Sequence, residues 1–375
     1  MTLGPFPQLS LKAARRQARD AIEKVVTGLD PGLDKQAARH RPSDREQKFP
    51  ALAALFLDRW LTKAQQRPRP RTIEENARLL GLARQDGVWV AKKGGLADKW
   101  KGRAISSLAR ADVVDVLDQI VADGKPTKAN HARAVLHLFF GWCMRRGVID
   151  VNPVTIIDRP APRKARDRVL SDSELALFWR AADDDAVFGA MYKLLLLTGQ
   201  RRDEVRAATW QEFDFENATW TLPGTRTKNH RTHVVPLSPQ AITLLNAIPR
   251  IGRRPRLLFT TTGDSMISGL SRGKERLDRR MLELAHQSNI VAAIPPFVIH
   301  DIRRSCATGM QRLGVRLEVI ERVLNHSGGS FAGIVGVYQR YSYDDEMRAA
   351  LSAWGAHIDS IIGAQAAGNV VKLRA

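Results

Sequence analysis

The sequence predicts a mainly α protein with one small antiparallel β-sheet, divided into an all-α domain and a larger α+β domain. Three observations carry this. Apolar residues recur at three and four spacing through residues 50–155 and again through most of the chain after 170. Two short alternating stretches, "ATWTLPG" and "THVVPLS", flank the basic loop "TRTKNHR" and read as paired strands. A Pro- and Arg-rich connector, "RPAPRKARDR", separates the two regions. The length of 375 residues and a hydrophobic content of 44% suffice for two or three packed domains.

The elements follow in order. Residues 10–28 read as a basic amphipathic helix with Ala13, Ala14, Ala18, Ile22 and Val25 on one face. The stretch that follows is charged, holds Pro and Gly, has no periodicity and reads as a linker. Between 50 and 155, "ALAALFLDRWLTKA", "TIEENARLLGLA", "RADVVDVLDQIVADG" and "KANHARAVLHLFFGWCMRRGVI" each carry a helical stripe, and "DVNP" ends the last. Ser171 and Glu174 form a capping box that opens the second domain. Helices continue through "AVFGAMYKLLLLTG", the two strands come next, and the rest is helical with loops at "TTTGDSMISG", "AAIPPF" and "HSGGSFAG". The boundaries are 1–49 for a helix and linker, 50–155 for the all-α domain, 156–169 for a basic linker and 170–375 for the second domain.

Composition narrows the function. Lys plus Arg number 59 against 39 for Asp plus Glu, a formal charge of +20. That balance favours a polyanion, with nucleic acid ahead of a membrane surface. No stretch is apolar for long enough to span a bilayer, and no signal-peptide pattern opens the chain. Two cysteines, Cys143 and Cys306, build neither a disulfide framework nor a zinc site, which fits a reducing cytoplasm. No Walker-type loop, HExxH or carboxylate cluster is present, and "GKPTKAN" lacks the glycine and threonine offsets of a phosphate loop.

Four separated stretches, with a tyrosine cluster after the last, hold residues suited to phosphodiester transesterification. "TGQRRDEV" places Arg201 at a helix start. "TRTKNHRTHVVPL" places Lys228 at the tip of the hairpin. "IHDIRRS" presents His300 and Arg303 on one helix face, and "VLNHSGGS" holds His326. Three of the four tyrosines, Tyr338, Tyr341 and Tyr343, cluster in "VYQRYSYDD". Two arginines can clamp the oxygens of a pentacoordinate phosphate through bidentate hydrogen bonds. Histidines can hydrogen-bond or shuttle a proton near neutral pH. A lysine can protonate a leaving 5′ oxygen, and a tyrosine can attack phosphorus. The arginines supply the positive charge, so the set requires neither metal nor cofactor. Each residue alone has an ordinary reading: a surface arginine, a solvated lysine, a helix-surface pair, a helix C-cap.

Together they resemble the tyrosine recombinase, or phage integrase, family. "TGQRRDE" resembles that family's Thr-Gly-x-Arg-x-x-Glu motif, "HDIRR" its His-x-x-Arg motif, and "LNHS" its Leu-Gly-His block with Asn325 in place of the usual glycine. The resemblance covers about 170–345 with specific motifs and 50–155 more loosely, through "FFGWCMRRGVIDVNP". It is close to the prophage and genomic-island integrases, whose members carry an extra N-terminal DNA-binding domain. Here "LGPFPQLSLKAARRQARDAIEKVVTGLDP" resembles only that domain's final strand and helix.

The resemblance implies a site-specific recombinase that cuts and rejoins double-stranded DNA through a 3′-phosphotyrosyl intermediate. Residues 50–155 would be a core-binding domain and 170–375 the catalytic domain, clamping duplex DNA between them. The implied site is Arg201, Lys228, His300, Arg303, His326 and Tyr338, with Tyr341 as second choice for nucleophile and Tyr343 as packing. A homotetramer would synapse two duplexes in the bacterial nucleoid, with a DNA-bending accessory protein as an optional partner and no membrane. Two alternatives stay open: a type IB topoisomerase, and a non-catalytic DNA-binding relic. The tail 344–362 carries one apolar stripe, Met347, Leu351, Trp354, Ile358 and Ile361. It is expected either to dock on a neighbouring protomer, with Trp354 as anchor, or to pack on its own domain.

Overall fold

The computed structural model describes residues 10–27, 48–63, 68–162, 166–252, 256–288, 294–326 and 341–368. The chain divides into two compact units, Met1–Ala165 and Arg166–Ala375.

The first unit begins with α1 (Leu11–Val26), capped by Ser10, whose side chain accepts from the Ala13 N–H at 3.3 Å. The unit then holds α2 (Phe49–Lys63), α3 (Pro70–Leu79), the hairpin β1 (Leu82–Gln85) and β2 (Val88–Ala91), and a short α4 (Leu96–Lys99). Helices α5 (Arg110–Ala122) and α6 (Pro126–Arg145) complete it. Its centre is aromatic. Phe139 on α6 packs edge-on against Phe49 and Phe56 of α2, at ring-centroid distances of 5.2 and 5.6 Å. Pro126 opens α6, where a missing N–H costs nothing.

The hairpin corrects the expectation that residues 50–155 are all-α. The helical stripe of "TIEENARLLGLA" breaks at Leu79, and the chain reverses through Asp86 and Gly87, both left-handed with φ of 49° and 82°. Asp-Gly is a strong signal for a two-residue hairpin turn, but the flanking strands are four residues each and mostly exposed. A periodicity reading passes over strands that short.

The second unit opens at α7 (Asp172–Asp183) with the expected capping box: the Ser171 N–H donates to Glu174 Oε2 at 2.8 Å, and the Glu174 N–H donates to Ser171 Oγ at 3.2 Å. Then come α8 (Gly189–Thr198), α9 (Arg202–Arg206) and an antiparallel sheet of β3 (Phe213–Asp214), β4 (Thr219–Leu222) and β5 (His233–Pro236). Trp220 pairs with Val235 in that sheet and is fully buried. Among the described residues five helices follow: α10 (Pro239–Ala247), α11 (Leu270–Ser288), α12 (Ile299–Arg312), α13 (Leu317–Val323) and α14 (Asp344–Gly368). Tyr192, on α8, is buried core. Cys143 and Cys306 are free and buried, and burial pushes both thiols up to about 12.

The apolar stripe of α14 packs on its own unit, as the second of the two expectations has it, with Ile361 only partly buried at its end. Met347, Leu351, Trp354 and Ile358 are each at most 4% exposed. The Trp354 indole N–H donates to the Leu196 carbonyl at 2.8 Å, joining α14 to α8. Tyr343 packs against the same core and caps the helix, its carbonyl accepting from the Met347 N–H at 2.8 Å.

Candidate active site

Three helix ends build the site. The first is the end of α8. Thr198 Oγ1 donates to the Leu194 carbonyl at 2.7 Å, and Gly199 stops the helix in the left-handed region at φ 63°. Buried Gln200 donates through Nε2 to the carbonyls of Thr198 and Val323, at 2.9 and 2.8 Å. Arg201 then stands at the N-cap of α9. Glu204, in that helix's first turn, accepts from the Arg201 N–H through Oε2 and from its guanidinium through Oε1, each at 3.2 Å. The spacing of threonine, glycine, arginine and glutamate is therefore that of one helix stop and the next helix start. The glutamate serves as both cap and counter-ion.

The second is the start of α12. Asp301 accepts from the Val298 N–H at 2.8 Å and fixes the first turn. That turn sets Arg303, only 5% exposed, against the other two helix ends. Its Nη1 donates to the Gly199 carbonyl at 2.8 Å and its Nη2 to the Leu324 carbonyl. Among the described residues its partners are carbonyls rather than a carboxylate. Burial, then the charge of Arg201, lowers this guanidinium to about 10.

The third is the end of α13. Asn325 has φ 49°. Its N–H donates to the Arg322 carbonyl and the His326 N–H to the Glu321 carbonyl, both at 2.9 Å. These two bonds are a Schellman motif with Asn325 at the left-handed position. This accounts for a glycine-histidine block: glycine suits the turn, and asparagine is its usual substitute. Arg201 Nη2 donates to the Asn325 carbonyl at 3.3 Å. Leu324, Asn325 and His326 thus stand together at both arginines.

His300 and His326 face solvent at this cluster. Partial burial, and then the Arg303 charge, lowers the pKa of each below the ordinary imidazole value, and Arg201 acts on both in the same sense. Both rings are therefore neutral near pH 7 and able to accept a hydrogen bond or a proton. Among the described residues Glu204 pairs with Arg201 while Arg303 bonds only carbonyls, so the cluster is suited to an anion whose oxygens match planar guanidinium forks.

Lys228 lies in the β4–β5 connection and is exposed. Its neighbours are fixed. Thr227 is 0% exposed and donates through Oγ1 to the Arg231 carbonyl at 2.7 Å. Arg226 binds Glu212 and the Glu204 carbonyl. Asn229 Nδ2 donates to Asn325 Oδ1 at 2.5 Å. On β5, His233 is 9% exposed and holds the Val323 carbonyl at 3.1 Å through Nε2, which must carry the proton because a carbonyl only accepts. Burial lowers this imidazole to about 4.

Tyr338 lies outside the described residues. Tyr341 is 57% exposed and its hydroxyl donates to Glu346 Oε2 at 3.2 Å, a contact that raises its pKa and opposes ionisation. The sequence reading did not single out Glu204, Asn229 or His233. Glu204 was legible from its place in the arginine motif. His233 was legible as an inward position on an alternating strand. Asn229 had no signal, since its partner lies on another element.

Comparison with known proteins gives concordant results. The model of the Phage integrase family matches residues 168–341. Prophage integrase IntZ of Escherichia coli (strain K12) is 26% identical over 366 residues, spanning 96% of this chain and 83% of that one. Among solved structures, the Tn1549 transposon integrase in complex with circular intermediate DNA aligns with a TM-score of 0.54 at 16% identity, covering 81% of this chain and 98% of that one. A lambda integrase tetramer bound to a Holliday junction aligns with a TM-score of 0.55 at 14% identity, covering 88% and 90%. At these identities the two structures share the fold.

Proposed function

The chain belongs to the phage integrase family and is a site-specific tyrosine recombinase, and from that premise we propose how its own residues cut and rejoin duplex DNA. Tyr338 attacks a scissile phosphate. Its phenol oxygen bonds to phosphorus as the bond to the 5′ oxygen breaks, leaving a 3′-phosphotyrosyl link. Lys228 gives the departing 5′ oxygen its proton. Arg201 and Arg303 hold the non-bridging oxygens, His326 assists that clamp, and His300 orients the phosphate or takes the tyrosine proton. A 5′ hydroxyl from the exchanging strand then reverses the chemistry. One phosphoester bond is exchanged for another at each step, so the reaction needs no nucleotide hydrolysis.

The observation that supports this reading best is the meeting of Arg201 and Arg303 at adjacent carbonyls, Asn325 and Leu324, directly before His326. Residues 50–155 serve as the core-binding domain, 156–169 as the basic linker and 170–375 as the catalytic domain. In the first unit, the lining of an open groove of about 980 Å³ includes Arg78, Lys92, Lys93, Lys125 and Lys128 against one carboxylate, Glu75, a balance that suits a phosphate backbone. The lambda integrase neighbour is a tetramer on a Holliday junction. By that likeness this chain acts as a homotetramer on two duplexes, integrating or excising a prophage or genomic island at the nucleoid. A DNA-bending protein could assist the synapse.

Tyr338→Phe tests the nucleophile on a nicked suicide duplex. It should form no covalent adduct, while DNA affinity stays within about threefold of wild type, because affinity comes from many phosphate contacts. A phosphotyrosyl peptide mapped to Tyr341 would move the role there and leave the family assignment standing.

A further inference from the structure

We propose that Asn325 is a positioning residue that holds the Lys228 loop in register with the two arginines. The proposal rests on the reading of Lys228 as proton donor. The backbone at Asn325 does not call for asparagine: at φ 49° glycine is the unstrained choice. The side chain is what glycine would lack. Its Oδ1 accepts from Asn229 Nδ2 at 2.5 Å, and Asn229 directly follows Lys228. Its own carbonyl accepts from Arg201, and the preceding carbonyl, that of Leu324, accepts from Arg303. One residue thereby joins the lysine loop to the pair of guanidiniums.

The loop is held on its other side as well. Thr227 is buried and bonded to the Arg231 carbonyl at 2.7 Å, and Arg226 is bound to Glu212. Lys228 is the exposed residue between two anchored neighbours. Without the amide contact, Asn229 loses its hold on the site, and Lys228 is fixed from one side only. A proton donor must lie within hydrogen-bond reach of the leaving oxygen, so a loose loop costs rate without costing affinity.

The test separates the leaving group from the rest of the site. With oxygen at the 5′ bridging position, the P–O5′ bond breaks as that oxygen takes the Lys228 proton. With sulfur there, the P–S bond breaks and the thiolate leaves unprotonated, since a thiol ionises near pH 8.5. Single-turnover cleavage of both nicked duplexes is measured for the full chain, Lys228→Ala, Asn325→Gly, Asn229→Ala and the Asn229→Ala/Asn325→Gly double variant. Asn325→Gly should slow the oxygen substrate about 10- to 100-fold and cleave the sulfur substrate within about threefold of wild type. Asn229→Ala should behave alike, and the double variant should be no slower than either single variant. Lys228→Ala should be slower on oxygen and equally rescued by sulfur. Unimpaired oxygen cleavage by Asn325→Gly overturns the proposal. So does a defect that persists on sulfur while Lys228→Ala is rescued, which would assign Asn325 to the arginines. Failure of sulfur to rescue Lys228→Ala would remove the lysine as donor, and the proposal with it.

Discussion

Arg303 Nη1 donates to the carbonyl of Gly199 at 2.8 Å, two residues before Arg201. This bond fixes one arginine of the site to the helix end that presents the other. It also leaves the buried guanidinium bonded to carbonyls, with its positive charge available to a substrate anion.

Lysine at position 303 cannot reproduce that arrangement, because one ammonium cannot span the Gly199 and Leu324 carbonyls and still offer a planar fork. Arg303→Lys should slow strand cleavage by about 10²- to 10³-fold, the usual cost of one preorganised donor at a developing oxyanion. Arg304, the next residue, pairs with Asp301 and is 33% exposed. Arg304→Lys should stay within about threefold of wild type, since lysine keeps a cation beside the buried Asp301 carboxylate and no planar fork is needed there. Single-turnover cleavage of a suicide duplex reads both.

His233 gives the second unit a pH dependence whose sign follows from its burial. Its folded pKa is about 4 against 6.5 for the free side chain. Above 6.5 both states are neutral and the group contributes no slope. Between 6.5 and about 4 the unfolded chain binds the proton and the folded one does not, so stability falls as pH falls. The full loss is about 3 kcal/mol. His233→Gln can still donate to the Val323 carbonyl and does not titrate. Urea unfolding should therefore show a shallower decline for the variant across this window, with similar stability at pH 7.5.

How much of this was legible in sequence depends on the range of each interaction. The Ser171–Glu174 box and the Arg201–Glu204 pair span three residues and could be read from spacing alone. The reason for asparagine at 325 could not, because Asn229 lies 96 positions away and the two meet only when β5 and α13 pack. His233 shows the same limit: its partner, Val323, is 90 positions away. The β1–β2 hairpin was short-range and still passed over, since its strands bury little and leave a weak alternation.

The charge balance predicts how binding responds to salt. With a formal charge of +20 and a groove carrying Lys92, Lys93, Lys125 and Lys128, affinity for duplex DNA should come largely from counterion release. Raising salt from about 50 to 200 mM should weaken binding about 10³-fold or more if six or more phosphates are contacted. Lys128→Gln should lower the slope of log affinity against log salt by about one, equally for specific and random duplexes. Fluorescence anisotropy across a salt series checks both statements.

The last prediction concerns α14, whose stripe belongs to the core of its own unit. Trp354 is 1% exposed, and its indole passes over Gly309 on α12 so closely that a Cβ there would meet the ring at 2.1 Å. A side chain at 309 would therefore have to displace a ring that is anchored to the Leu196 carbonyl. Gly309→Ala should destabilise the unit by about 1–3 kcal/mol through overpacking. Trp354→Ala should cost about 3–5 kcal/mol through the cavity it leaves. The Gly309→Ala/Trp354→Ala pair should be more stable than the two losses summed, because the alanine methyl then enters the space of the lost ring. Truncation after Asp345 removes Met347, Leu351, Trp354 and Ile358 together and should lower the melting temperature more than any single change. A truncated chain that melts like wild type would return the stripe to a role between protomers.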